Sequence, residues 1–158
     1  KAQQYEGGPC TPFIAHWPNG MTVKKGSITR QPGHITDIMA TCLDVAGAEY
    51  PKTYREHKII PMEGESLMPV FKGNQREQQE IFYEHMSGAG LRVGNWKIVK
   101  LRGNKRNTFD DTRWQLYNLS KDRTERNDVS AQYPDKFKEM KKRWKKRAGE
   151  LQVFPLPQ

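Results

Sequence analysis

Apolar positions along the chain change their period three times. Residues 11–17 (TPFIAHW) form a short, nearly continuous apolar run closed by Pro18-Asn19-Gly20. That pattern predicts a buried strand followed by a turn, of the kind found in parallel sheets. Ile35, Ile38, Met39, Cys42, Leu43 and Ala46 then recur at i, i+3, i+4, i+7, i+8 and i+11, with Pro32-Gly33 before them and Gly47 after. This is the spacing of one helical face, and Cys42 on that stripe is expected as a small buried hydrophobe. Residues 49–58 are polar and contain Pro51, so they read as an exposed connection.

From Ile81 the period becomes that of strands. Residues 81–85, 90–93 and 96–101 are short β-type runs, and Gly94-Asn95 between the last two supplies a hairpin turn. A polar loop over 102–113 leads to a further strand at 114–119. Phe137, Met140, Trp144, Ala148 and Leu151 then return to helical spacing, with Pro134 in the first turn and Gly149 near the end. Strands adjacent in sequence and followed by a helix predict a small antiparallel α+β unit. Residues 1–48 carry too few elements to close an α/β sheet alone, so the chain is expected to be the C-terminal portion of a larger protein.

The chain has 158 residues, 35% of them apolar, with four Trp, six Tyr and six Phe. A fold of this length buries about 70% of the surface of its extended chain, so a core needs no metal or disulfide staple. No run approaches the ~20 apolar residues of a membrane span. Cys10 and Cys42 lack any CxxC spacing and are too few for a disulfide scaffold.

The net charge of +9 is local: residues 134–147 hold eight cations against two anions. One reading of this amphipathic helix is a nucleic-acid or anionic-glycan surface. The other, which we favour, is a solvated helix packed by its aromatic stripe, because no aromatic stands on the charged face to stack bases. His16 and His57 have no convergent partners in sequence, so no metal site is expected in this chain. Arg92 and Lys97, flanking the hairpin, are expected in salt bridges. His34 and Asp37 belong to a helix start, where a carboxylate favours the dipole.

Five phrases together carry a family resemblance. Lys1-Ala2-Gln3-Gln4-Tyr5-Glu6-Gly7-Gly8, followed by Thr11-Pro12-Phe13-Ile14-Ala15-His16-Trp17-Pro18, resembles the K-x-x-x-Y-E-G-G-x-R-x-P-x-I-x-x-W-P segment of sulfatases. Residues 33–48 are similar to the helix that follows it there. Residues 63–73, then 92–97, then 116–119 with 122–127 are similar to later landmarks in the same order.

The resemblance implies an arylsulfatase-type C-terminal region. Residues 1–48 would end the large alkaline-phosphatase-like α/β domain. Residues 49–79 would connect it to a small α+β domain over 80–158, with an antiparallel sheet and a long terminal helix. It also implies a parent enzyme that hydrolyses sulfate esters on a glycan or aryl compound, with a calcium ion and a formylglycine made from Cys or Ser upstream, and a periplasmic or secreted location. The partners implied are that substrate and the remainder of the α/β domain. The chain alone is expected to be inactive, with no cofactor of its own. A phosphonate or phosphodiester hydrolase of the same superfamily is the related alternative.

Lys1 aligns with the family lysine that contacts the sulfate group, where a point charge suits a tetrahedral anion. His85, in Glu84-His85-Met86-Ser87-Gly88, resembles a substrate-side loop residue and is the candidate for substrate binding. Cys10-Thr11-Pro12-Phe13-Ile14 begins like the formylglycine motif C/S-x-P-x-R, but Ile14 replaces the required arginine. In register, Cys10 stands where this family segment usually has Arg, so it is read as a departure and not as the nucleophile.

Overall fold

A computed structural model describes residues 3–77, 80–101 and 111–153. The chain divides into two compact units, one of Lys1–Phe13 with Gln78–Gln158 and the other of Ile14–Glu77.

The first unit is built on a four-stranded antiparallel sheet of β3 (Glu80–His85), β4 (Gly88–Val93), β5 (Trp96–Lys100) and β6 (Trp114–Asn118), in that spatial order. The β4–β5 hairpin turns at Gly94-Asn95 as the sequence predicts, pairing Val93 with Trp96. Gly94 takes φ 58, a left-handed conformation that carries no Cβ penalty in glycine. Period-2 alternation then sorts the side chains. Ala89, Leu91, Ile98, Trp114 and Leu116 face α3 (Pro134–Glu150), whose Met140, Trp144 and Ala148 complete a buried cluster. The stripe predicted for this helix is the one it buries, although Leu151 at its end is exposed. On the opposite face, Val99, Tyr117 and Leu119 form a smaller cluster packed by Tyr5. Most of the expected loop at 102–113 lies outside the described residues.

The second unit contains α1 (Thr36–Ala46), a two-residue hairpin of β1 (Thr53–Tyr54) and β2 (His57–Lys58), and the short α2 (Met68–Phe71). Thus part of 49–58 is an element after all. Arg55 and Glu56 both adopt positive φ at its turn, and it is exposed throughout.

Helix α1 forms where the periodicity places it and ends on Gly47 at φ 61. Its burial is inverted relative to expectation. Ile35, Ile38, Met39 and Val45 are exposed, and so is Cys42. The buried residues are Asp37, Ala40 and Thr41. Hydrogen bonding accounts for the burial of Asp37 and Thr41. Asp37 accepts from the backbone N–H of Glu65 at 3.0 Å and from that of His34 at 2.9 Å. Thr41 Oγ1 accepts from the N–H of Leu67 at 2.9 Å, and Gly64 brings its backbone against the Thr36 carbonyl. A stretch of irregular backbone lying on the helix must satisfy its amides, and polar side chains do this where apolar ones cannot. The Arg76 guanidinium completes the arrangement, 3.0 Å from Asp37 Oδ2.

The strand expected at 11–17 does not form. Phe13 and Ile14 are 62% and 89% exposed, and no described segment pairs with them, so the run has no ladder to join. No helix among the described residues is long and apolar enough to cross a membrane.

Candidate functional site

The open face of the sheet, away from α3, carries the polar machinery of the first unit. Register places Arg92 opposite Lys97 and Gly90 opposite Val99 there. Residues 3–8 lie along this face. Tyr5 meets the Tyr117 ring edge-on with centroids 6.1 Å apart, and its hydroxyl donates to Gln115 Oε1. The chain then folds back, with the Gly8 N–H donating to the Tyr5 carbonyl at 2.7 Å. Gly8 is required here because a Cβ would strike the Gln3 carbonyl.

Glu6 is the centre of the attachment. Its carboxylate lies 2.7 Å from Lys97 Nζ and 3.9 Å from Arg92 Nη1. Lys97 also reaches Glu125 at 3.0 Å, and Glu125 accepts the backbone N–H of Glu6. The Lys97 side chain is fully buried and that of Glu125 is 1% exposed. Lys97 lies over the Tyr83 ring, 5.5 Å from its centroid. Two cations facing two carboxylates make a neutral quartet, the condition under which charge is tolerated out of water. Burial nevertheless pushes the Glu125 carboxyl above its ordinary range, outweighing the Glu6 amide and Lys97. Burial and the Glu6 charge likewise raise the Tyr83 phenol. Glu125 is presented by a tight loop in which the Asp122 carboxylate accepts the N–H groups of Arg126 and Asn127, both at 2.8 Å.

A second attachment lies at the β3–β4 turn. Gln4 is buried against Gly88, where a Cβ would collide with its amide, and its Nε2 reaches the His85 carbonyl at 3.5 Å. Met86 and Ser87 both take positive φ, a conformation that side chains adopt at a cost of about 1–2 kcal/mol each. The fully buried Lys100 donates to the Ser87 carbonyl at 2.9 Å and so supports this turn from below.

His85 stands exposed at the end of β3. Lys1 lies outside the described residues. Cys10 is exposed. Arg92 and Lys97 make the salt bridges expected of them. Gln4, Lys100 and Glu125 were not singled out from sequence, although Gln4 and Glu125 lie inside the family phrases at 1–8 and 122–127. Because both carboxylates of the quartet are engaged by cations, the arrangement is a clamp for the 3–8 segment and not a proton-transfer pair. Among the described residues, no group of three or more His, Cys, Asp or Glu converges as a metal site would require.

Six cations of the basic helix share three carboxylates, so its positive charge is only partly offset. Lys141 and Lys145 share Asp111 at 3.3 and 2.8 Å. Lys136 and Arg143 flank Glu139 at 2.7 and 3.1 Å. Lys146 and Arg147 reach Glu150.

Comparison with known proteins places the chain in a family. Residues 1–153 match the family described as N-sulphoglucosamine sulphohydrolase, C-terminal. Arylsulfatase K of Danio rerio is 26% identical over 147 residues, covering 90% of this chain and 26% of that protein. A sulfatase of Formosa agariphila is 26% identical over 143 residues, covering 85% and 25%. N-acetylgalactosamine-6-sulfatase of Canis lupus familiaris is 34% identical over 83 residues, covering 52% and 14%. The chain thus spans about a quarter or less of the curated relatives it matches. Among solved structures, Ps i-CgsB superposes with a TM-score of 0.62 at 23% identity, over 83% of this chain and 27% of the other. A protein solved with its substrate D-glucosamine-2-N,6-O-disulfate gives 0.50 at 21%, over 75% and 24%. These structural matches establish the fold.

Proposed function

The chain belongs to the sulfatases, as a C-terminal portion of the N-sulphoglucosamine sulphohydrolase type, and from that premise we propose that it completes an enzyme hydrolysing sulfate esters of a glycan or aryl compound. Residues 1–48 end the large α/β domain of that enzyme, 49–79 connect, and 80–158 form its smaller domain. The remainder of the α/β domain is its partner. Lys1 supplies an ammonium to the sulfate oxygens, where a fixed positive charge stabilises the charge that develops as the ester bond breaks. His85 contacts the organic part of the substrate from the β3–β4 turn.

The observation that supports this reading is the anchoring of Tyr5-Glu6-Gly7-Gly8. This phrase begins four residues after Lys1 and is fixed to the sheet by Lys97, Arg92 and Glu125. Buried charge is an expensive way to hold a surface segment, and the expense is reasonable where a neighbouring side chain must meet a reacting group accurately.

Sulfatases generally use calcium and a formylglycine. The described residues do not fit either: no acidic cluster converges among them, and Cys10 is followed by Thr11-Pro12-Phe13-Ile14 without the arginine of the formylglycine motif. The contribution assigned to this chain is therefore charge and positioning, and the 158 residues by themselves turn over no sulfate ester.

The test is aryl-sulfate hydrolysis by the full-length protein and its Lys1→Ala variant. Loss of one such contact lowers kcat on the order of 10²–10³-fold. An unchanged kcat in the variant, or turnover by the 158 residues alone, contradicts the respective assignment.

A further inference from the structure

We infer that Lys97 is a positioning residue for sulfate-ester hydrolysis, tethering through Glu6 the segment that carries Lys1; this rests on the role proposed above for Lys1. Lys97 is the second residue of β5 and has no exposed surface. Its neighbours on the same face include Val99 and Tyr117, so an apolar side chain would suit the local packing and the strand. Ion pairs at buried positions are on the whole no more stabilising than apolar residues of the same volume. Stability alone therefore gives no reason for a lysine here.

What lysine does, and an apolar residue cannot, is join three separate pieces of chain at one atom. Nζ lies 2.7 Å from Glu6, ninety-one residues away in sequence, and 3.0 Å from Glu125 on the 122–127 loop. The Glu6 amide bonds back to Glu125, so both the side chain and the backbone of Glu6 are fixed by a single constellation. Gln4, buried at Gly88, holds the same segment two residues earlier. Lys1 precedes Gln4 by three residues, a reach of about 10 Å at most for the covalent chain.

A double-mutant cycle in the full-length protein separates positioning from plain stability. Wild type, Lys97→Met, Lys1→Ala and the double variant are compared for kcat and KM on an aryl sulfate, for inhibition by inorganic sulfate, and for urea midpoint. Lys97→Met is expected to lower kcat at least tenfold and to weaken sulfate inhibition, with partial rescue by Lys97→Arg. In the Lys1→Ala background it should lower kcat less than twofold further. If its effect multiplies in full on Lys1→Ala, or follows only the folded fraction, the positioning role is wrong while the role of Lys1 stands. If Lys1→Ala itself leaves kcat unchanged, the role of Lys1 is wrong and the inference falls with it. Should Lys97→Met not fold, Glu6→Gln removes the same tether and enters the cycle in its place, with the same outcomes deciding.

Discussion

The indole Nε1 of Trp144 donates to the backbone carbonyl of Tyr83 at 3.2 Å, fixing the middle of the basic helix to β3. The same ring stacks on Phe82 at 5.4 Å between centroids and meets Trp114 edge-on at 5.3 Å. Tyr83 in turn presents its own ring to Lys97 on the other face. The residue that anchors the helix by its carbonyl thus also walls the clamp by its side chain.

Trp144→Ala should destabilise the fold by about 3–5 kcal/mol, the range for deleting a fully buried large aromatic. Lys142→Ala, on the exposed side of the same helix, should stay within about 0.5 kcal/mol of wild type. Urea unfolding of the two variants checks both figures. Equal losses would mean that α3 is held by its charge and not by its stripe.

Arg76→Met should be costly because it strands the fully buried Asp37 carboxylate. Breaking one partner of a buried pair costs about 3–5 kcal/mol. Asp37→Asn added to Arg76→Met should recover part of the loss, since a neutral amide is cheaper to bury. Thermal or urea unfolding of the single and double variants gives the comparison, and a double variant worse than the single would refute the pair as the cause.

Glu125 makes stability depend on pH in a stated direction. Burial raises its carboxyl pKa in the folded state. Below the unfolded value, ~4.3, both states are protonated and the contribution is complete. As pH rises through the folded value, the native state holds a proton that the unfolded chain has already released, so stability falls. The difference in unfolding free energy between wild type and Glu125→Gln should therefore shift against wild type across that interval and be flat above it. A difference independent of pH would exclude the effect.

His85→Ala should raise KM several-fold in the full-length protein while leaving its urea midpoint in place, because the side chain is exposed. Steady-state kinetics on a sulfated glycan and on an aryl sulfate would show which part of the substrate it meets. Unchanged KM on both would remove His85 from the site.

Elements governed by neighbours in sequence were legible in advance. The β4–β5 hairpin followed from alternation around Gly94-Asn95, and α3 from a stripe at spacings of three and four. The salt bridges of Arg92 and Lys97 were also anticipated, but not their partners. Residues 11–17 show the limit: an apolar run states that a segment suits a strand, and a ladder partner must still be present. In α1, irregular backbone at 64–67 lies against Asp37 and Thr41, which accept its amides, a pairing that periodicity does not reveal.

By itself, therefore, the sequence determined the periodic elements, their order, the local concentration of positive charge, and the family phrases from Lys1 to Asn127. These are properties of spacing, which the chain carries whether or not it is folded. Only the tertiary structure decided that Lys97 and Lys100 are buried, that Glu125 is the carboxylate joining Glu6 at the clamp, and that Asp37 and Thr41 of α1 are buried. Burial and charge pairing depend on groups up to 119 positions apart. A lysine in a strand reads as solvent-facing until the residues that neutralise it are brought beside it.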